Sequence, residues 1–137
     1  MSTFVRHFAV IQVPVKNVEV SVKWYRDVLG IPFTFEYTPG DYEAWLNVGG
    51  VGLGLVQSPN VPCLDFTNMA GQVQPIISLQ VDQIHAVYEE LRGKGIETSE
   101  MSYKKSGGYS FTLRDPDGHI TNLWGGWPSA EDEEANA

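Results

Sequence analysis

Cysteine is almost missing from this chain of 137 residues: Cys63 stands alone, so no disulfide can close within it, and a reducing cytoplasm is the expected location. No run of about 18 apolar residues occurs, so no membrane-spanning helix is expected. Met1-Ser2-Thr3-Phe4 carries no basic segment followed by an apolar run, so no secretory signal is expected. Positive charge is scarce, with 9 Lys and Arg against 17 Asp and Glu and a net charge of −8. The only basic doublet is Lys104-Lys105, which argues against a nucleic-acid partner, because phosphate binding needs clustered cations. Nucleophilic patterns are lacking too. Cys63 has no evident His partner, and Ser106-Gly107-Gly108 matches neither a nucleophile elbow nor a phosphate loop. Glu89-Glu90 falls on the solvent side of a helical pattern, away from acid–base work. No catalytic group is therefore assigned.

What the chain does have is a repeat. Val10-Ile11-Gln12-Val13-Pro14-Val15 leads through Lys16-Asn17 into a helical pattern, and Ile76-Ile77-Ser78-Leu79-Gln80-Val81 does the same 66 residues later. Both copies then run through an amphipathic stretch to Gly-Ile, at Gly30-Ile31 and Gly95-Ile96. A period this long exceeds a solenoid unit and points to two βαβββ modules. Module one is placed at 4–57, a linker at 58–75 and module two at 76–127, within a single domain of residues 1–130. Residues 131–137 form an acidic tail expected to be disordered; its Glu131-Asp132-Glu133-Glu134 leaves only −4 on the body.

In module one the Val-rich residues 5–15 predict a strand, with Pro14 marking an edge or an end. Asn17 is the expected helix cap, and Val18, Val22, Tyr25, Val28 and Leu29 recur at helical spacing up to Gly30. Those β-branched residues are weak helix formers, so packing must support the helix. Phe33 to Tyr37 alternates like a half-buried strand, Thr38-Pro39-Gly40-Asp41 is turn chemistry, and Tyr42–Val48 and Val51–Gln57 follow as strands. Gly52 and Gly54 strip one face of the last strand, for close packing or to leave room. Residues 58–75, with three prolines, predict an irregular connector; a pocket cover with Leu64, Phe66 or Met69 turned inward is the sharper alternative. In module two, Ile76–Val81 predicts a strand and Asp82 or its neighbour a cap. Ile84, Val87, Tyr88 and Leu91 form the helix stripe, and strands are expected near 97–103, 109–114 and 119–125 around Asp115-Pro116-Asp117-Gly118.

Val15-Lys16-Asn17-Val18, Ser21 and Trp24-Tyr25-Arg26-Asp27-Val28-Leu29-Gly30 resemble the opening signature of the vicinal oxygen chelate superfamily of glyoxalase I, bleomycin-resistance proteins, fosfomycin-resistance enzymes and extradiol dioxygenases. Arg114-Asp115-Pro116-Asp117-Gly118 with Asn122-Leu123 is similar to its closing signature. The resemblance implies an α+β fold: two βαβββ modules forming a U-shaped, eight-stranded mixed sheet with helices on its outer face. It also implies a homodimer and a divalent metal held by His, Glu or Gln from the first and last strand of each module.

Carried onto this chain, the family's ligand positions fall at Val10, Ile76, Gly54 and Asn122. Cation sites need imidazole, carboxylate or thiolate donors at about 2.0–2.6 Å. Two hydrocarbons, a glycine and a neutral amide do not supply them, so neither metal nor other cofactor is expected. His7 is turned to the opposite face by strand alternation, His85 sits on a helix, and His119, just after a turn, is expected to be exposed. Strand parity then gives the expected ligand-binding residues: Gln12, Ser78, Gln80, Asn122 and Trp124. Trp45 joins them with its inward face undecided, and Tyr109 joins them from the family arrangement. Such a lining suits a small organic molecule, in which apolar walls give affinity and amides give orientation. The expected function is metal-free binding of a hydrophobic or aromatic molecule, an antibiotic being one candidate. The alternative is a metal-dependent lyase, isomerase or dioxygenase of the glyoxalase type.

Overall fold

Six residues of the Val-rich opening, Val10–Val15, form strand β1, and Asn17 starts helix α1 (Val18–Asp27). The computed structural model describes residues 4–137. Asn17 has extended backbone angles, and its side chain accepts from the Val20 N–H at 3.2 Å, the expected cap. Glu19 in the first turn and Arg26 in the last complement the helix dipole. Val18, Ser21, Val22 and Tyr25 are its buried stripe. Strands β2 (Glu43–Val48) and β3 (Val51–Gln57) follow. The sheet order is β1-β3-β2, with β1 parallel and β2 antiparallel to β3. β1 is thus an edge strand, which accommodates Pro14. Val13, Val15, Ala44, Leu46, Leu53 and Leu55 are buried on one face, and α1 packs on β2 and β3. Burying each of these Val and Leu side chains contributes roughly 1.5–3 kcal/mol.

Phe33–Tyr37, expected as a strand, contributes one isolated bridge, Phe33 to Leu46. Around that bridge the Thr34 N–H donates to the Trp45 carbonyl and the Asn47 N–H to the Pro32 carbonyl. The chain divides into two compact units after Pro62.

The second unit begins where an irregular connector is expected, yet residues 58–75 contain a hairpin of β4 (Asp65–Thr67) and β5 (Val73–Pro75). The Asn68 side chain makes it, by accepting from the Ala70 and Gln72 N–H groups while Gly71 takes φ +81°. Phe66 and Met69 are exposed, at 52% and 105% of their full area, so neither covers anything in the structure described. Strand β6 (Ile77–Gln80) is followed by α2 (Ile84–Gly93), then β7 (Ser102–Lys104), β8 (Gly108–Arg114) and β9 (Ile120–Trp124). Of Asp82 and its neighbour, it is Gln83 that takes the cap position of α2, in the left-handed region at φ 56° and with no side-chain hydrogen bond. The order β6-β9-β8-β7 repeats the first sheet's pattern, with β6 parallel and β8 antiparallel to β9. Even the isolated bridge recurs, as Thr98 to Leu113. Ile84 and Leu91 from α2 and Phe111, Leu113 and Leu123 from the sheet are buried, and the Tyr88 ring meets Phe111 edge-on at 4.9 Å.

The tail expected to be disordered is a short helix, α3 (Ala130–Ala135). Ser129 and Asp132 form a reciprocal capping box, and Glu131, Asp132 and Glu133 lie at the positive end of the dipole. Glu133 accepts from the Ser106 N–H at 3.0 Å, and Asn136 donates to the Tyr109 hydroxyl at 2.7 Å, so the tail is tied to the β7–β8 hairpin. Among the described residues no helix is long and apolar enough to cross a membrane.

Candidate functional site

Each sheet has one face filled by its helix and one face left over, and strand parity assigns residues to the second. In the first unit these are Val10 and Gln12 on β1, Trp45 and Asn47 on β2, and Gly52 and Gly54 on β3; Gln12 and Trp45 both lie opposite Gly54. This decides the orientation of Trp45, which sequence parity leaves open. Its indole lies across the two glycines. A Cβ built on Gly54 would stand 2.7 Å from the ring carbons Cη2 and Cζ3, and one on Gly52 3.5 Å from Cε3. The glycines make room, and an indole takes it.

In the second unit Ser78 and Gln80 on β6, Asn122 and Trp124 on β9, and Ser110 and Thr112 on β8 share the leftover face. Asn122 Nδ2 donates to Ser78 Oγ at 3.2 Å. Trp124 Nε1–H donates to the Gly107 carbonyl at 2.7 Å, and its ring meets Trp127 edge-on at 4.9 Å. Gln80 lies against Gly126, where a Cβ would come within 2.9 Å of Nε2. Tyr109, expected among these residues, is not brought to them. It stands on the opposite face, edge-on to His85 at 4.5 Å and to Tyr103 at 4.8 Å. Tyr103, its neighbour, has its hydroxyl pushed up to about 12, first by burial and then by the nearby Glu133 carboxylate. That region is the seat of the C-terminal helix.

The four positions at which the family's metal ligands would fall can be tested for fit. Val10 and Ile76 are hydrocarbon side chains, 46% and 58% exposed. Gly54 has no donor, and the space a longer side chain would need is held by Trp45. Asn122 offers one amide, already spent in part on Ser78. These residues do not fit a divalent cation.

The histidines fall otherwise than expected in two cases: His7 precedes β1, so strand alternation does not orient it, and His119 is not exposed. His7 is exposed and bonded to the neighbouring Phe8 carbonyl at 2.8 Å, and His85 stacks on Tyr109. His119, expected to be exposed, is buried, at 2% of its full area. Its Nδ1 accepts from the Leu64 N–H at 3.2 Å, and the Asp115 carboxylate accepts from the N–H groups of Asp117 and His119, each at 2.9 Å. Ligand atoms of Asp115, Asp117 and His119 lie within 4.8 Å of one another. Nδ1 is taken up by the Leu64 N–H, and an ion bound there would have to displace that bond. The trio therefore acts as a lock between the β8–β9 turn and the loop before β4. The Arg114 guanidinium closes the same turn on the Gly118 carbonyl at 2.8 Å. Nothing in the Asp-Pro-Asp-Gly-His string reports a bond to Leu64.

An open hollow of about 540 Å³ also borders the first sheet, with Trp45 in its wall beside the 35–37 and 41–44 segments.

Comparison with known proteins fits this architecture. Sequence comparison with curated proteins gives no match. Among solved structures, lactoylglutathione lyase from Agrobacterium tumefaciens superposes with a TM-score of 0.69 at 17% identity, over 90% of this chain and 96% of its own. TnmS3, an antibiotic binding protein from Streptomyces sp. CB03234, does so with 0.68 at 20%, over 93% and 100%. The integron cassette protein HFX_CASS4, from the mobile metagenome of Halifax Harbour sewage outfall, gives 0.68 at 20%, over 88% and 99%. At these identities the likeness establishes the fold, an α+β arrangement of mixed sheets. A family model matches residues 6–123, and on that match the chain belongs to the Glyoxalase/Bleomycin resistance protein/Dioxygenase superfamily.

Proposed function

We propose that this protein binds a small organic molecule without the help of a metal ion. The reading rests above all on Gly54: where a carboxylate would be needed, there is a glycine roofed by the Trp45 indole. Taken unit by unit, Gln12 and Trp45 on the free face of the first sheet, and Ser78, Gln80, Asn122 and Trp124 on that of the second, combine flat apolar surface with amides and hydroxyls. That mixture suits an aromatic or hydrophobic ligand, which the rings hold by area and the amides orient. Binding alone needs no nucleophile and no acid–base pair. An antibiotic is one such ligand, and TnmS3 has the same fold. A homodimer accompanies this reading. Phe4, Val5 and Phe8 are 99%, 74% and 77% exposed beside the edge strand β1, an apolar surface suited to a second copy. The exposed thiol of Cys63 suits a reducing cytoplasm.

The test is to purify the protein without chelator, measure its metal content, and weigh it natively to detect a retained organic mass. The expected result is substoichiometric metal together with binding of members of an aromatic ligand panel. Near-stoichiometric nickel, zinc, iron or manganese, with an activity that chelation removes, overturns the proposal.

A further inference from the structure

The hollow beside β2 has a chemistry of its own. Its aromatic walls are Phe35, Tyr37, Tyr42 and Trp45, and its carboxylates are Glu36, Asp41 and Glu43. Residues 1–62 contain five acidic side chains, and the other two, Glu19 and Asp27, are on α1 or at its end; three of the five border this one hollow. No lysine or arginine lines it, and none occurs anywhere from Asp27 to Leu91. Among the described residues none of the three carboxylates makes an ion pair. Arg26, just before that stretch, lies over the Phe33 ring, 4.3 Å from its centre.

Four rings around unneutralised negative charge make a poor surface for solvent alone. Phe35 and Tyr42 are 67% and 71% exposed, although rings of this size normally gain by burial. The Tyr37 hydroxyl is buried with no hydrogen-bond partner among the described residues. Ring faces attract a cation through their quadrupole, and carboxylates attract it by charge. An anion would meet three like charges, and a neutral hydrocarbon would strip water from carboxylates with no return. Trp45 is preorganised for such a role, because its indole is seated on Gly52 and Gly54.

We propose that this hollow is a binding site for an organic cation, a quaternary or protonated amine carried on an aromatic or aliphatic body. The inference goes beyond the preceding section, which leaves ligand charge open, and its site shares only Trp45 with the sheet-face residues named there.

The experiment is a ¹⁵N–¹H NMR titration of the full chain with benzyltrimethylammonium, with neutral benzyl alcohol and with benzoate. Benzyltrimethylammonium is expected to shift the amides of residues 35–45 and the Trp45 indole N–H in a saturable way. Benzyl alcohol should bind at least about tenfold more weakly and benzoate more weakly still. Glu36→Gln, Asp41→Asn and Glu43→Gln together should weaken the cation about tenfold, as should 1 M salt, without altering the neutral probe. The three groups are exposed, so the variant keeps its fold, which its spectrum verifies. Equal affinity for benzyl alcohol at residues 35–45 overturns the cation preference while leaving small-molecule binding intact. Absence of saturable shifts at those residues, or a triple variant that binds the cation as before, overturns the site.

Discussion

The sheet of residues 10–57 and that of residues 77–124 share one backbone plan and differ in what they place on it. Gln12 opposite Gly54 corresponds to Ser78 opposite Asn122, with the same parallel pairing and antiparallel neighbour in each case. On the helix side the copies agree: Leu55 and Leu123, each next to those positions, are buried at 0% and 1% exposure. On the other side they part. The first copy sets glycine under indole and borders an acidic aromatic hollow; the second sets amide against hydroxyl. Their turns differ likewise. Gly49 and Gly50 close β2–β3 with φ of +58° and +93°, whereas β8–β9 closes through Asp115 and the buried His119. Packing against a helix holds one face of a duplicated sheet constant, and the free face is where such copies diverge.

The equivalence of the cores can be put to the hardest test first. Leu55→Ala and Leu123→Ala should each cost about 2–5 kcal/mol in urea unfolding, since both delete a buried side chain and leave a cavity. A cost under about 1 kcal/mol at either position would end the correspondence. The turns should respond unequally. His119→Leu leaves the Leu64 N–H without its acceptor and should cost about 1–3 kcal/mol, with faster amide exchange at Leu64. Asn47→Ala removes the acceptor of the exposed Gly50 N–H, which water replaces, and should stay within about 0.5 kcal/mol. Similar costs for the two would show that burial of His119 carries no weight.

The free faces offer a third contrast. Gly54→Ala forces the Trp45 ring to shift and should cost about 1–3 kcal/mol with a change in tryptophan emission. Asn122→Ala breaks one exposed hydrogen bond and should fall within about 0.5 kcal/mol. The smallest effect concerns the C-terminal helix. Tyr103 is expected to ionise at about 12 instead of 10.0 in an absorbance titration. Between those values the unfolded chain has lost this proton and the folded chain keeps it, so this group's contribution to stability is present below pH 10.0 and is lost as pH rises through about 12. Glu133→Gln should lower the value only in part, because burial is the larger cause. A full return to the ordinary value would assign the shift to the carboxylate alone.

Much of the fold was legible because local rules dictate it. Asn17 caps α1 as its side chain predicts, Pro14 sits on an edge strand, and the Val15–Val81 offset reappears as matched sheets. The misreadings share a cause. The hairpin in 58–75 depends on Asn68 folding its side chain back onto the chain, and the tail becomes a helix because Ser129 and Asp132 cap each other. Prolines and acidic residues suggest disorder in composition without showing those bonds. The family arrangement puts Tyr109 near the pocket, whereas its ring lies on the helix side with His85.

Alternation along a strand is a property of the chain, so the residue types alone settled which side chains travel together: Val10 with Gln12, Ser78 with Gln80, Asn122 with Trp124. They also settled that no strong cation donor stands at the family's ligand positions. Folding had to choose which set meets the helix, whether an indole roofs Gly54, and whether His119 reaches Leu64 across 55 residues. Those outcomes depend on contacts between segments distant in the chain, and no local pattern carries that information.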